Sequence, residues 1–349
     1  MKALVKTERG VVDLKIMDID KPECPDNGVL IKVRTVAICG SDIHYYTDKE
    51  PMPVPQIMGH EFCGEIVETG KEVTGWEVGD FVLSRVPTYP CGECVACKDG
   101  HPENCTSIRI AGLTAPGAYA EYIVSYPQLL YKVPEGVSEE MAACSEPTTV
   151  VYHALKRFNV QPGDTCVVVG LGAIGLLTIQ MLKIFGAGDI IAVGMDNDAQ
   201  LKKDLAMKYG AVTFINAQNR KASEQILEYT KGYKVDLAID CTGSVAAIED
   251  LFGVIRYKGT FGAIGVPPTG AKVQVDWNAL VWGSINIIST FGSEVEDWDA
   301  VVKLMGEGKI KFDDMISHKI AFKDWAEVFK NPINPQYSKA VFKPCLGWE

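Results

Sequence analysis

The chain has no Lys/Arg block, no low-complexity segment and no internal repeat. The missing basic block leaves no nucleic-acid or lipid surface, and 34 basic against 45 acidic residues give a net charge of −11. Small-molecule partners are expected. The missing repeat excludes solenoids and propellers. Long apolar runs are scarce, and the longest, Cys166 to Leu182, carries Gly170, Gly172, Gly175, Thr178 and Gln180. Those interruptions suit a strand, a turn and a helix better than a membrane span. Met1 to Gly10 is too polar for a secretory apolar region, so a reducing, cytoplasmic setting is expected. There the eleven cysteines read as metal ligands or buried thiols before they read as disulfides.

At 349 residues the chain exceeds the roughly 250 to 300 that one core serves, so two domains are expected. To about Val160 the pattern is short β-type runs between Gly and Pro: Val29 to Val36, Phe62 to Val67, Phe81 to Val86, Tyr119 to Val124. From Asp164 strands and helices alternate: strand Thr165 to Val169, helix Ala173 to Phe185, strand Ile190 to Val193, helix Ala199 to Tyr209, strand Leu237 to Asp240. Alternation of this kind predicts βαβ crossovers and a parallel sheet, hence an α/β fold. Helical segments return at Asp297 to Met305 and Lys323 to Phe329, and Ala340 to Lys343 is strand-like.

Gly170-Leu171-Gly172-Ala173-Ile174-Gly175 reads G-x-G-x-x-G between an apolar strand and an apolar helix. In that setting the first glycine makes the turn, the second admits a pyrophosphate and the third permits close helix packing, with free N–H groups facing the phosphates. Asp196 lies 21 residues after Gly175, the spacing of an acid that binds the ribose hydroxyls of NAD. The strand before it ends at Gly194, so Asp196 falls in the following loop. No arginine follows directly, which favours NAD while leaving NADP open.

Cys91, Cys94, Cys97 and Cys105 give C-x2-C-x2-C-x7-C. Four thiolates close a tetrahedral zinc shell, bracing a loop with no open position for a substrate. The competing reading, two disulfides, needs strained small loops and an oxidising compartment. A second group gathers around Gly59-His60-Glu61 with Cys39 upstream. In a regular strand His60 and Glu61 would point to opposite faces, and they share one metal only if Gly59 breaks the strand. Glu61, Glu146 and Cys144 all compete for a third ligand position, and Pro147 favours an extended Glu146 that shares a face with Cys144. Read alone, an isolated His-Glu pair defaults to a core histidine hydrogen-bonded to a neighbour.

Gly59-His60-Glu61-x-x-Gly64-x5-Gly70-x-x-Val73 resembles the zinc alcohol dehydrogenase signature of the medium-chain dehydrogenase/reductase superfamily. Within it, Glu146-Pro147 and Cys39-Gly-Ser-Asp-Ile-His-Tyr look like the polyol (sorbitol-type) dehydrogenases. The resemblance implies a GroES-like, mostly β catalytic domain at 1–155 and 291–349, and a Rossmann domain at 156–290. It implies two zinc ions per chain, one catalytic and one structural. Cys39 and His60 would be ligands of the first, with Glu61 and Glu146 sharing the remaining role. Asp42 would orient His60, Ser41 would take the substrate proton, and His44 would pass it to solvent. Tyr45 and Tyr46 line the pocket or pack as aromatics, while His153 and His318 are structural. A homodimer or homotetramer is implied through sheet extension near Trp282 to Ile288.

Two departures narrow the transfer. Sorbitol dehydrogenases carry an arginine after the phenylalanine aligned with Phe291, where this chain has Gly292. Animal sorbitol dehydrogenases also lack the four-cysteine lobe. The expected reaction is NAD-linked oxidation of a secondary hydroxyl in a polyol or sugar-like compound, since a zinc ion acidifies the hydroxyl and nicotinamide accepts the hydride. A threonine-type amino alcohol or an aldose is the same-class alternative. A zinc- and dinucleotide-binding protein without catalysis is the alternative from another class, although binding alone needs no proton relay.

Overall fold

The computed structural model describes residues 1–196, 201–312, 314–330 and 339–342, with the backbone alone for 103, 201 and 339–342. The chain divides into two compact units, Met1–Glu146 with the return from His318, and Pro147–Ser317. Residues 147–155 and 291–317 belong to the second. Among the described residues no helix is long and apolar enough to cross a membrane.

The first unit is built on the strand Val29–Ala37, whose Val29, Leu30, Ile31, Val33, Val36 and Ala37 are all buried. Glu61–Thr69 and Tyr122–Ser125 pair with it antiparallel, and the returning chain sets Val341 opposite Ala37. The register decides where the site forms. Ala37 lies opposite Glu61, so Cys39, two residues beyond one strand, meets His60, one residue before the other. The β-type run expected from Tyr119 becomes a strand only at Tyr122. Tyr119 is held elsewhere, its N–H donating to Met58 O at 2.9 Å and its carbonyl accepting from Leu4 N at 2.8 Å.

The second unit is the expected parallel sheet, in the order Thr213–Asn216, Ile190–Gly194, Cys166–Val169, Val235–Asp240, Ile255–Ala263, Asn286–Ser289. Every neighbouring pair is parallel. The chain order reverses beside Cys166–Val169, the doubly wound arrangement whose crevice opens at the carboxyl ends of the strands. The expected helix Ala199 to Tyr209 is found as Leu201–Lys208, its predicted start at Ala199 and Gln200 lying outside the described residues, as does Lys343 of the last strand. Lys323 to Phe329 is a 3-10 turn, Phe322–Asp324, followed by the helix Ala326–Phe329.

Glu146 is not extended. It sits in the first turn of the helix Ser145–Phe158, where Pro147 breaks no hydrogen bond because first-turn N–H groups have no intrahelical acceptor. Cys144 caps the end of the preceding helix Glu139–Ala143, so the two do not share a strand face.

The helix Ser145–Phe158 is pinned to Val295–Gly306 through the buried Asp297. His153 Nδ1 lies 2.7 Å from Asp297 Oδ2, and Lys156 donates to Oδ1 at 2.8 Å. Glu294 N–H also donates to Oδ2, at 2.8 Å. Burial opposes the Asp297 charge, but Lys156, the Glu294 amide and His153 outweigh it and hold the pKa below its usual 3.8. The folded value lies below the unfolded one, so this stabilisation is complete above 3.8 and fades as pH falls through the depressed folded value. Asp297→Asn is therefore expected to lose roughly 1–3 kcal/mol at neutral pH by urea titration. The gap from the parent should shrink below the unfolded pKa, and a gap that persists unchanged into strong acid would contradict the linkage.

Candidate active site

Cys39 is the N-cap of the helix Gly40–Tyr46, and its N–H donates to Asp42 Oδ2 at 2.9 Å, closing the first turn. Gly59 has φ +87°, the left-handed region, and Glu61–Thr69 begins two residues later. The break turns two consecutive side chains toward one point. Ligand atoms of Cys39, His60 and Glu61 lie within 4.8 Å of one another, with His60 and Glu61 buried. A thiolate, an imidazole and a carboxylate form a donor set that suits zinc and leaves a fourth position open.

Behind this group, Asp42 is fully buried and its Oδ2 also accepts from Tyr119 Oη at 2.7 Å. Asp42 Oδ1 stands 3.8 Å from His60 Nδ1, and neither atom has a hydrogen-bond partner among the described residues. That pair of orphaned polar atoms fits an imidazole drawn between a metal and an orienting carboxylate. Burial raises the Asp42 pKa, tempered by His60, the Tyr119 hydroxyl and the Cys39 amide. Burial works against the His60 imidazolium, yet the Cys39 sulfur, Asp42 and Glu146 together hold its pKa well above 6.5. Glu146 thus acts on His60 by its charge, while the tight group comprises Cys39, His60 and Glu61.

Ser41 Oγ is buried with no hydrogen-bond partner among the described residues, and His44, one turn along the same helix face, is exposed. Tyr46 is buried edge-on against Trp325 and Phe329, with ring centroids 5.9 and 5.4 Å away, so aromatic packing accounts for it. Tyr119 packs in the same way on Phe322 and Phe329, 6.2 Å each.

The four lobe cysteines are free thiols gathered within 4.8 Å. Sulfur separations of 3.5 Å (Cys94–Cys97), 3.6 Å (Cys91–Cys105) and 4.0 Å (Cys91–Cys97) bracket the ~3.8 Å edge of a tetrahedron with Zn–S bonds of ~2.3 Å. N–H groups of Glu93 and Cys94 point at Cys91 Sγ, both at 3.4 Å. With the Cys105 thiol they lower the Cys91 pKa to about 6, while burial first and Cys94 next push Cys97 up to about 12. A third grouping, His153, Glu294 and Asp297, already holds a cation in the Lys156 ammonium.

In the second unit Gly170 has φ +95° and Gly172 caps the helix Ala173–Ile184. A Cβ on Gly175 would sit 1.8 Å from Gly170 O, which is the close packing expected of the third glycine. Beside this turn opens a cavity of about 960 Å³ lined by Gly170, Gly194, Met195, Arg220, Thr242 and Ser244. Asp196 is exposed beyond the strand end, its Oδ1 accepting from Asn216 Nδ2 at 2.6 Å. Asp240 is buried at the end of its strand, accepting from Thr242 N–H and Gly243 N–H at 2.9 and 3.0 Å. The sequence does not mark Tyr119, because its partners Asp42 and Gly59 are remote in the chain and reached only through strand pairing.

The first unit contains a match to the alcohol dehydrogenase GroES-like domain at residues 25–135, and residues 173–307 match the zinc-binding dehydrogenase domain. The chain is 32% identical to a sorbitol dehydrogenase of Halalkalibacterium halodurans over 99% of each protein. It is also 32% identical to an L-threonine 3-dehydrogenase of Burkholderia thailandensis, over 100% of this chain and 99% of the relative. A Sinorhizobium meliloti structure named as a zinc-binding dehydrogenase and bound to NADP superposes with a TM-score of 0.90, at 26% identity, over 98% of this chain and 99% of the other. The chain belongs to the zinc-containing alcohol dehydrogenases of the medium-chain superfamily, with a GroES-like unit and a Rossmann unit. It is an NAD(P)-dependent enzyme of that family.

Metal analysis should find two zinc ions per chain, one for each of the groups formed by Cys39, His60 and Glu61 and by the four cysteines. Cys39→Ala should leave one, and retention of both would remove Cys39 from the ligand set.

Proposed function

We propose that this enzyme oxidises a secondary hydroxyl of a polyol or sugar-like compound to the ketone, reversibly, with NAD as hydride acceptor. The reading is carried by one convergence: Cys39, His60 and Glu61 meet at a point, and the helix that Cys39 caps carries the buried Ser41 Oγ, which has no partner among the described residues. When bound, zinc supplies Lewis acidity to the substrate hydroxyl and nicotinamide supplies the hydride acceptor. Cys39, His60 and Glu61 would hold the metal directly, and Glu146 would contribute negative charge beside His60 and a further carboxylate ligand. A carboxylate in place of a second thiolate hardens the metal toward oxygen-rich substrates.

Asp42 orients the His60 imidazole. Ser41 takes the hydroxyl proton and His44 delivers it to water, as its exposure allows. Gly170, Gly172, Ala173, Ile174 and Gly175 would cradle the dinucleotide, first-turn N–H groups would face its pyrophosphate, and Asp196 would take the adenosine ribose. An exposed carboxylate favours the free 2′-hydroxyl of NAD over the 2′-phosphate of NADP.

Gly292 has φ +68°, a conformation strained for arginine, so this position does not supply the hydroxyl contact of sorbitol dehydrogenases, and sorbitol is disfavoured among polyols. Equal identity to a threonine dehydrogenase supports a second reading, a polar amino alcohol as substrate. Family membership sets aside a purely binding role. A cytoplasmic, homo-oligomeric enzyme is part of the proposal. The edge strand Asn286–Ser289 and the helix Trp277–Gly283 expose Ile287, Val281 and Trp282, apolar surface that supports self-association.

Ser41→Ala should lower kcat by about 10²- to 10⁴-fold with dinucleotide affinity nearly intact, and unchanged turnover would remove Ser41 from the relay. In a panel of polyols, aldoses and amino alcohols, NADH formation should be fastest with a polyol. A clear preference for threonine-type substrates, or for NADP, would replace the corresponding part of the reading.

A further inference from the structure

The residue that ties the candidate zinc group together from three sides is Tyr119. Its main chain grips the segment before His60, through its N–H to Met58 O at 2.9 Å. Its ring closes on Gly59, where an added Cβ would lie 2.4 Å from Tyr119 Cδ1. Its hydroxyl reaches across to the helix Gly40–Tyr46 and donates to Asp42 Oδ2 at 2.7 Å. The Cys39 amide donates to that same oxygen at 2.9 Å. Two donors on Oδ2 fix the plane of a carboxylate that is fully buried, and they leave Oδ1 directed at His60 Nδ1, 3.8 Å away. A phenylalanine would fill the same space against Phe322 and Phe329 but could not hold the carboxylate. The hydroxyl is therefore a chemical requirement beyond packing.

We propose that Tyr119 is a positioning residue for the zinc ligand His60, acting through Asp42: its hydroxyl locks the carboxylate that sets the imidazole tautomer and direction. This rests on the reading of Cys39, His60 and Glu61 as zinc ligands. Outer partners of a metal-bound imidazole typically govern affinity by 10- to 100-fold, because a freely rotating ligand must be ordered again each time metal binds.

The test is competition for zinc between the full chain and a chromophoric chelator, using Tyr119→Phe, Asp42→Asn and the double variant. Tyr119→Phe should weaken one of the two zinc sites by about 10- to 100-fold and leave the four-cysteine site unchanged. In the Asp42→Asn background the same substitution should add nothing, since its route to the metal is gone. Parental zinc affinity in Tyr119→Phe would overturn the proposal. So would an equal loss in the Asp42→Asn background, or parallel weakening of both sites. Cys39→Ala separates the two levels: if it keeps both zinc ions, the ligand reading falls and this inference with it. If it loses one while Tyr119→Phe behaves as the parent, the inference alone fails.

Discussion

The backbone at Gly59 is the constraint on which the first unit's chemistry depends. A strand presents successive side chains to opposite faces, so His60 and Glu61 can converge only where the strand is interrupted. The positive φ supplies the interruption, and the Tyr119 ring over the glycine leaves no room for any other residue. Conformation and space select glycine independently. The carbonyl of Gly59 is crowded too, since a Cβ on Gly112 or Gly117 would lie 2.4 Å from it. Two glycines from one short segment, remote in sequence from Gly59, pack around its peptide, and that packing sets the direction of the imidazole that follows.

On the proposed reading the two units bind their partners by different means. The zinc groups use side chains whose approach is set by strand register, Ala37 opposite Glu61, and by a helix N-cap. The dinucleotide turn uses main-chain N–H groups, exposed because Gly170 and Gly175 let a helix start hard against a strand. A side-chain site is rigid only when something behind it is rigid, which gives buried Asp42 its place. A main-chain site has its rigidity from the sheet itself.

Much of this was legible in the sequence. The G-x-G-x-x-G turn, the four-cysteine lobe and the change from β-type to alternating texture are local patterns, and local patterns survive without a fold. Cys39 and His60 could be paired by likeness to a family, but only the register explains why they meet. The helical Glu146 is not legible from Pro147, because proline suits an extended segment and the first turn of a helix equally well. The strand Ile255–Ala263 is not legible in the sequence because Arg256, Tyr257 and Lys258 are exposed, and the stretch shows no clean apolar period. Tyr119 was invisible for a different reason: nothing near it in the chain reports a contact with Asp42.

The aromatic cluster beneath the zinc group has a consequence for biosynthesis. Tyr46 and Tyr119 rest on Phe322, Trp325 and Phe329, residues translated only after the whole of Pro147–Ser317. At ~5–20 residues per second that interval is on the order of ten to thirty seconds. Throughout it the nascent chain carries Cys39 and His60 without the wall that seats Tyr119. The four-cysteine lobe, contained within fifteen consecutive residues, has no such wait. One chain therefore offers its two metal groups at different moments, the bracing one early in synthesis and the catalytic one only after Phe322 to Phe329 have followed the second unit.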